Sequence, residues 1–213
     1  MIAIMDYGVG NLFSLKSSLA QLGQDTVVTA DPDTIRKADR LILPGVGAFG
    51  DAMDKLVATG LVPVIRAEAE KKPLLGICLG MQMLFDESEE FGLHKGLGLI
   101  PGRVVRIPST DVQDRPQKVP HISWDPLNPA GGRTDFAGTV LAGVKPGEEC
   151  YFIHSYEAKP ADEADRLADT VYGGRAVCAA AAHGSVVGCQ FHPEKSGKVG
   201  LKIIEEYLNR AGE

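Results

Sequence analysis

Short apolar runs at residues 2–6, 26–30, 41–47 and 74–78, separated by stretches of helical length, constrain the fold of this chain more than any other feature. The first run, IAIMD, passes into DYGVGN, where Gly8 and Gly10 suit a tight turn. Asn11 or Ser14 can cap a helix that carries Leu12, Leu15, Leu19 and Leu22 at helical spacing and closes at Gly23. The run LILPGVG ends in a glycine-rich loop, and a helical pattern follows from Asp51 to about Lys71, interrupted near Gly60 and Pro63. LLGIC reads as a fourth buried strand, with GMQMLF starting the next helix. Apolar strands alternating with helices predict parallel βαβ units with helices on both sheet faces.

Beyond about residue 96 the pattern changes. GRVVRI, KVPHISW, TVLAGV and CYFIHSYEA read as β pieces separated by Pro and Gly. AVCAAAA and VVGCQF flank His183-Gly184-Ser185 and predict a hairpin. A last amphipathic helix is expected from about Gly197 to Asn209. With no repeat and no linker-like stretch, a single domain over residues 1–213 is expected.

Composition excludes several classes of function. Apolar residues make up 44% and charged ones 23%, which argues against disorder. Twenty-two basic against 28 acidic side chains leave a net charge of −6. Without a basic run, binding to nucleic acid or to an anionic membrane is not expected. No apolar stretch approaches the ~18 residues of a membrane span, and the N-terminus lacks the basic region of a signal peptide. Four scattered cysteines, Cys78, Cys150, Cys178 and Cys189, predict a reducing, cytoplasmic setting.

Gly76-Ile77-Cys78-Leu79-Gly80 has the glycine-x-nucleophile-x-glycine pattern of a strand-to-helix elbow, with cysteine at the nucleophile position. A thiolate there gains from the free amide N–H groups that open a helix. A cysteine nucleophile needs a base and a group to orient that base, and His192-Pro193-Glu194 offers both at the end of an apolar strand. Acyl transfer also needs oxyanion donors. The amide of Leu79 is one candidate, and the loop Pro44-Gly45-Val46-Gly47 can present that of Val46 or Gly47. Each motif taken alone also fits a plain packing or turn role. Cys178, His183, Cys189 and His192 do not form a convincing zinc set, because Cys189 and His192 fall on opposite faces of a strand. No metal or organic cofactor is expected. The acidic run 86–90 reads as a solvated helix end, and His154 as a residue packed or hydrogen-bonded within a strand.

GICLGMQ at 76–82, PGVG at 44–47 and HPEKS at 192–196 resemble the class I (triad) glutamine amidotransferases. DYGVGN, PGVGAFGDAM, GMQMLFDESEE, KGLGLIPGRVVR and YFIHSY narrow the resemblance to the glutaminase subunits of imidazole glycerol phosphate synthases. The resemblance spans most of the chain. It implies an α/β, flavodoxin-like fold with a mixed, mainly parallel sheet, flanking helices and a β-rich C-terminal half.

It further implies that Cys78 attacks the side-chain amide of glutamine, with His192 as proton shuttle and Glu194 as orienter. Gln82 would help to hold the substrate, and Ser155 and Tyr156 would hold its amino-acid end. The ammonia would pass to a (β/α)8-barrel synthase subunit in a heterodimer. That barrel would make imidazole glycerol phosphate and an aminoimidazole carboxamide ribotide in histidine biosynthesis. Asn11, His121, Trp124 and Lys195 match the junction with that partner.

One departure stands out. The family often reads His-Met-Gly-Trp-Asn where this chain has His121-Ile122-Ser123-Trp124-Asp125. Two other readings remain open from sequence: a glutaminase component of an anthranilate or pyridoxal phosphate synthase, or a catalytically silent barrel-binding regulator.

Overall fold

The computed structural model describes residues 1–210. The first half runs β1 (Ile2–Met5), α1 (Leu12–Gln21), β2 (Thr26–Thr29), α2 (Pro32–Lys37), β3 (Arg40–Gly45), α3 (Phe49–Ala58), α4 (Val62–Ala69), β4 (Leu74–Cys78) and α5 (Leu79–Met83). Then follow β5 (Phe85–Ser88), β6 (His94–Lys95), β7 (Ile100–Arg106), β8 (His121–Pro126), β9 (Asn128–Pro129) and β10 (Glu149–His154). The chain closes with β11 (Tyr156–Pro160), β12 (Arg166–Tyr172), β13 (Arg175–His183), β14 (Val186–Cys189) and α6 (Gly197–Asn209).

The central sheet has eight strands in the order β2-β1-β3-β4-β14-β13-β12-β9. β2, β1, β3, β4 and β14 run parallel, and β13, β12 and β9 extend the sheet antiparallel. Alternation along the parallel strands divides the core. Ala3, Met5, Leu41 and Leu43 pack with Ile35 of α2, Phe49 and Leu56 of α3 and Ile65 of α4. Ile2, Ile4, Ile42, Leu75 and Ile77 face Leu15 and Leu19 of α1 and Ile203, Ile204 and Tyr207 of α6. Strands buried on both faces read as continuous apolar runs, as the sequence does here.

Two smaller sheets lie beside the main one: β11-β7-β5-β6 and the antiparallel pair β10-β8. The segment CYFIHSYEA, read as one strand, is two. The chain leaves β10 at His154 and enters β11 at Tyr156, in another sheet, so Ser155 sits at the crossing.

Two further local expectations are corrected. TVLAGV at 139–144 is a compact turn and not a strand. The Thr139 hydroxyl donates to the Phe136 carbonyl and accepts from the Leu141 amide, while Val140, Leu141 and Val144 plug the core. The helix after Cys78 has only five residues, and residues 85–88 of the supposed helix end form β5. There Ser88 is fully buried, which a solvated helix end would not allow. Helix α2 was not anticipated. Asp31 caps it by accepting from the Thr34 amide at 2.8 Å, and Pro32 occupies its first turn.

Candidate active site

Cys78 ends β4 with φ +55° and ψ −112°, an unusual conformation for a residue with a side chain. The turn closes because its neighbours lack side chains. A β-carbon on Gly76 would lie 2.7 Å from the Gly80 carbonyl oxygen, and one on Gly45 would lie 2.6 Å from the Gly80 amide. One on Gly80 would overlap the Leu43 carbonyl. The glycines at 45, 76 and 80 thus let β3 and the elbow touch, with Gly45 paired to Cys78 in the sheet register.

β14 lies on the other side of β4, and its continuation delivers His192 to the same point. His192 is anchored by its amide to the Tyr151 carbonyl and by its carbonyl to the Ser196 hydroxyl at 2.7 Å. A single 3-10 turn over Pro193–Lys195 folds Glu194 back, so that its Oε1 accepts from His192 Nδ1 at 2.8 Å. Burial opposes charge on His192, but the Cys78 sulfur and the Glu194 carboxylate outweigh it and push the imidazole up to about 9. The arrangement favours an imidazolium facing the Cys78 sulfur.

These groups border a cavity of about 340 Å³, within the ordinary range of small-molecule sites. Val46, Gly47, Cys78, Leu79, Gln82, Ser155, Tyr156 and His192 all line it, so the sequence-predicted nucleophile, base, oxyanion and substrate residues come together. Glu194 lies behind His192, in a second small cavity shared with Asn11 and Val46. Gly47 has φ +95°, which a side chain would resist, whereas Gly45 is needed for close packing. Cys78 is the one cysteine of the four on the cavity wall. Burial pushes the thiols of Cys150 and Cys178 up to about 12 and raises that of Cys189 too, so these three stay protonated.

The partner-facing expectations divide. Lys195 is exposed, with its ammonium 5.8 Å over the Tyr151 ring, and half-exposed Trp124 packs 5.9 Å from that same ring. These residues form a continuous strip beside His192. Asn11 is half-buried where α1 begins. His121 departs from expectation: it is fully buried, stacked between Phe152 and Tyr172, and offers no surface to a partner.

Sequence reasoning missed Gln190. Its amide nitrogen lies 3.8 Å from the Cys78 sulfur, and its oxygen accepts from Gln82 at 2.9 Å. The signal was present, since Gln190 stands two residues before His192 and shares its face of the extended chain. Tyr7 was also missed. Its hydroxyl donates to the Pro44 carbonyl at 2.6 Å and ties the first turn to the Pro44–Gly47 loop.

The profile of the family described as "Glutamine amidotransferase class-I" matches residues 3–209 of the chain. The chain belongs to this family. Among curated relatives of this amidotransferase, "Imidazole glycerol phosphate synthase subunit HisH" of Geobacillus kaustophilus is 49% identical over 212 residues, covering 99% of this chain and 97% of the relative. A protein of the same name from Syntrophotalea carbinolica is 47% identical over 210 residues, covering 97% of this chain and 98% of its own. Among solved structures, one titled "Crystal structure of glutamine amidotransferase" superposes with a TM-score of 0.71 at 19% identity. It covers 97% of this chain and 96% of its own. At that identity the match speaks for the amidotransferase fold alone.

Proposed function

We propose that this amidotransferase is the glutaminase subunit of an imidazole glycerol phosphate synthase and supplies ammonia to a (β/α)8-barrel synthase subunit. The reading is carried by one observation: His192, held from behind by Glu194 at 2.8 Å, converges with the Cys78 elbow on a cavity of about 340 Å³. The Cys78 thiolate attacks the carboxamide carbon of glutamine. The tetrahedral oxyanion is held by the Leu79 amide and by the Val46 or Gly47 amide. His192 gives its proton to the departing nitrogen, and ammonia leaves a thioester on Cys78. Water, deprotonated by His192, then attacks the thioester carbon. Glutamate departs, and the proton on His192 and the Cys78 thiolate are restored. Gln82, Ser155 and Tyr156 hold the substrate's amino-acid part. The strip of Trp124 and Lys195, with Asn11, meets the barrel. The narrower assignment among amidotransferases draws on the HisH relatives at 45–49% identity.

The test is to mix the purified chain with imidazole glycerol phosphate, anthranilate and pyridoxal phosphate synthase partners, each with glutamine and its own second substrate. Glutamate and product should form together with the first partner only. Equal coupling with another synthase, or glutamate formation with none, would overturn the assignment.

A further inference from the structure

Beside the triad lie two buried histidines that the proposed chemistry does not use. His121 of β8 and His154 of β10 stand directly opposite each other in the antiparallel pair. His154 Nδ1 is 2.8 Å from the Tyr156 carbonyl oxygen, which can only accept, so Nδ1 carries the proton. Burial holds the His154 imidazole far below its ordinary value, at about 3, so the ring is neutral and its Nε2 offers a lone pair. His121 Nδ1, 3.1 Å away, must therefore donate to it. On its far side His121 Nε2 donates to Asp125 Oδ2 at 2.5 Å, so both nitrogens of this ring act as donors; the Ser123 hydroxyl, 3.0 Å from Nε2, donates to the same carboxylate. Alternation along β8 turns His121, Ser123 and Asp125 to one face, while Ile122 and Trp124 are exposed on the other.

The other end of this chain enters the candidate site. The Tyr156 carbonyl also accepts from Gln82 Nε2 at 3.0 Å, and the remaining Gln82 N–H goes to Gln190 Oε1 at 2.9 Å. Both amide protons of Gln82 are engaged, which leaves its Oε1 as the free end of a cavity-lining residue.

We infer that Asp125 and His121 are positioning residues for substrate recognition: they fix the tautomer of His154 and, through the Tyr156 carbonyl, orient Gln82 so that its oxygen meets an N–H of bound glutamine. The inference rests on the glutaminase reading for its substrate. Without the His121 donor, the Nε2 lone pair of His154 is left buried and unpaired, and the ring is no longer held from that side. A ring that shifts to relieve this would carry with it the Tyr156 carbonyl that aligns Gln82. Cys78, His192 and Glu194 take no part, so the effect falls on binding and not on turnover.

The test joins kinetics in the presence of the synthase partner with histidine ¹⁵N NMR. His121→Phe keeps the aromatic stack and removes the donor; His121→Gln keeps an N–H donor. His121→Phe should raise KM for glutamine about ten-fold with kcat within about two-fold, and His121→Gln should recover most of the loss. If His121→Phe does not fold, the Ser123→Ala/Asp125→Ala double variant, trimmed at the half-exposed end, should raise KM at least about three-fold in the same way. In the wild type, NMR should find His154 protonated on Nδ1. Wild-type turnover with His154 protonated on Nε2, or kcat falling while KM holds in a folded variant, would overturn the inference alone. No wild-type turnover with any partner would overturn it together with the glutaminase reading.

Discussion

Glu194 Oε1 accepts a hydrogen bond from His192 Nδ1 at 2.8 Å, and both side chains are almost wholly shielded from solvent. The contact fixes the orientation of the ring, with Nδ1 on the carboxylate and Nε2 turned toward Cys78. His192→Ala should therefore lower kcat for glutamine hydrolysis roughly 10²–10⁴-fold, the usual value of positioned proton transfer. Glu194→Ala should cost less, because it removes only the orienting partner. Steady-state kinetics of both variants, with folding checked by circular dichroism, decide the order.

The same environment gives stability a defined pH dependence. His192 is raised from an ordinary 6.5 to about 9, so its contribution is complete below pH 6.5 and is lost as pH rises through about 9. His154 is lowered to about 3, so the native state is favoured fully above pH 6.5 and loses that advantage as pH falls toward about 3. Urea unfolding across this range should show the alkaline loss reduced in His192→Asn and the acid loss reduced in His154→Asn.

The elbow glycines should separate by cause. Gly80→Ala drives a methyl group into the Leu43 carbonyl and should cost at least about 2–4 kcal/mol, with the elbow distorted. Gly47→Ala has open space, yet its φ of +95° is strained for alanine, so about 1–2 kcal/mol is expected. Chemical denaturation of the two variants measures the difference.

The Pro44–Gly47 loop leads to a prediction about control. A peptide flip beside Gly47 exchanges an oxyanion N–H for a repelling carbonyl, and one lost donor costs ~10²–10³ in kcat. The free subunit should hydrolyse glutamine very slowly. Adding the barrel and its nucleotide ligand should raise kcat by about that factor with little change in KM. Kinetics of the subunit alone, with barrel, and with barrel plus ligand test this. A free subunit as fast as the full complex would make the loop a fixed oxyanion hole.

Much of the site was legible because its determinants are local. Gly76, Gly80 and Cys78 share one tight turn, and His192 and Glu194 are two residues apart. Helix α2 was readable in principle from Asp31-Pro32, but its six residues are too short for a clear apolar period. TVLAGV has the composition of a strand, and only the Thr139 bonds and the core it plugs make it a turn. The chain from Asp125 to Gln82 was out of reach. It depends on β8 pairing with β10 across the intervening residues and on Gln82 meeting Gln190 from a distant strand. No spacing in the sequence states those contacts.

The central claim, that Cys78 releases ammonia from glutamine for a separate synthase subunit, is tested most directly by a Cys78→Ala complex with the imidazole glycerol phosphate synthase barrel. Its product formation should be measured once with glutamine and once with ammonium salt. The account predicts loss of the glutamine-dependent rate with the ammonium-dependent rate unchanged. A Cys78→Ala complex that still uses glutamine, or an assembled one that has lost the ammonium-dependent rate as well, would contradict it.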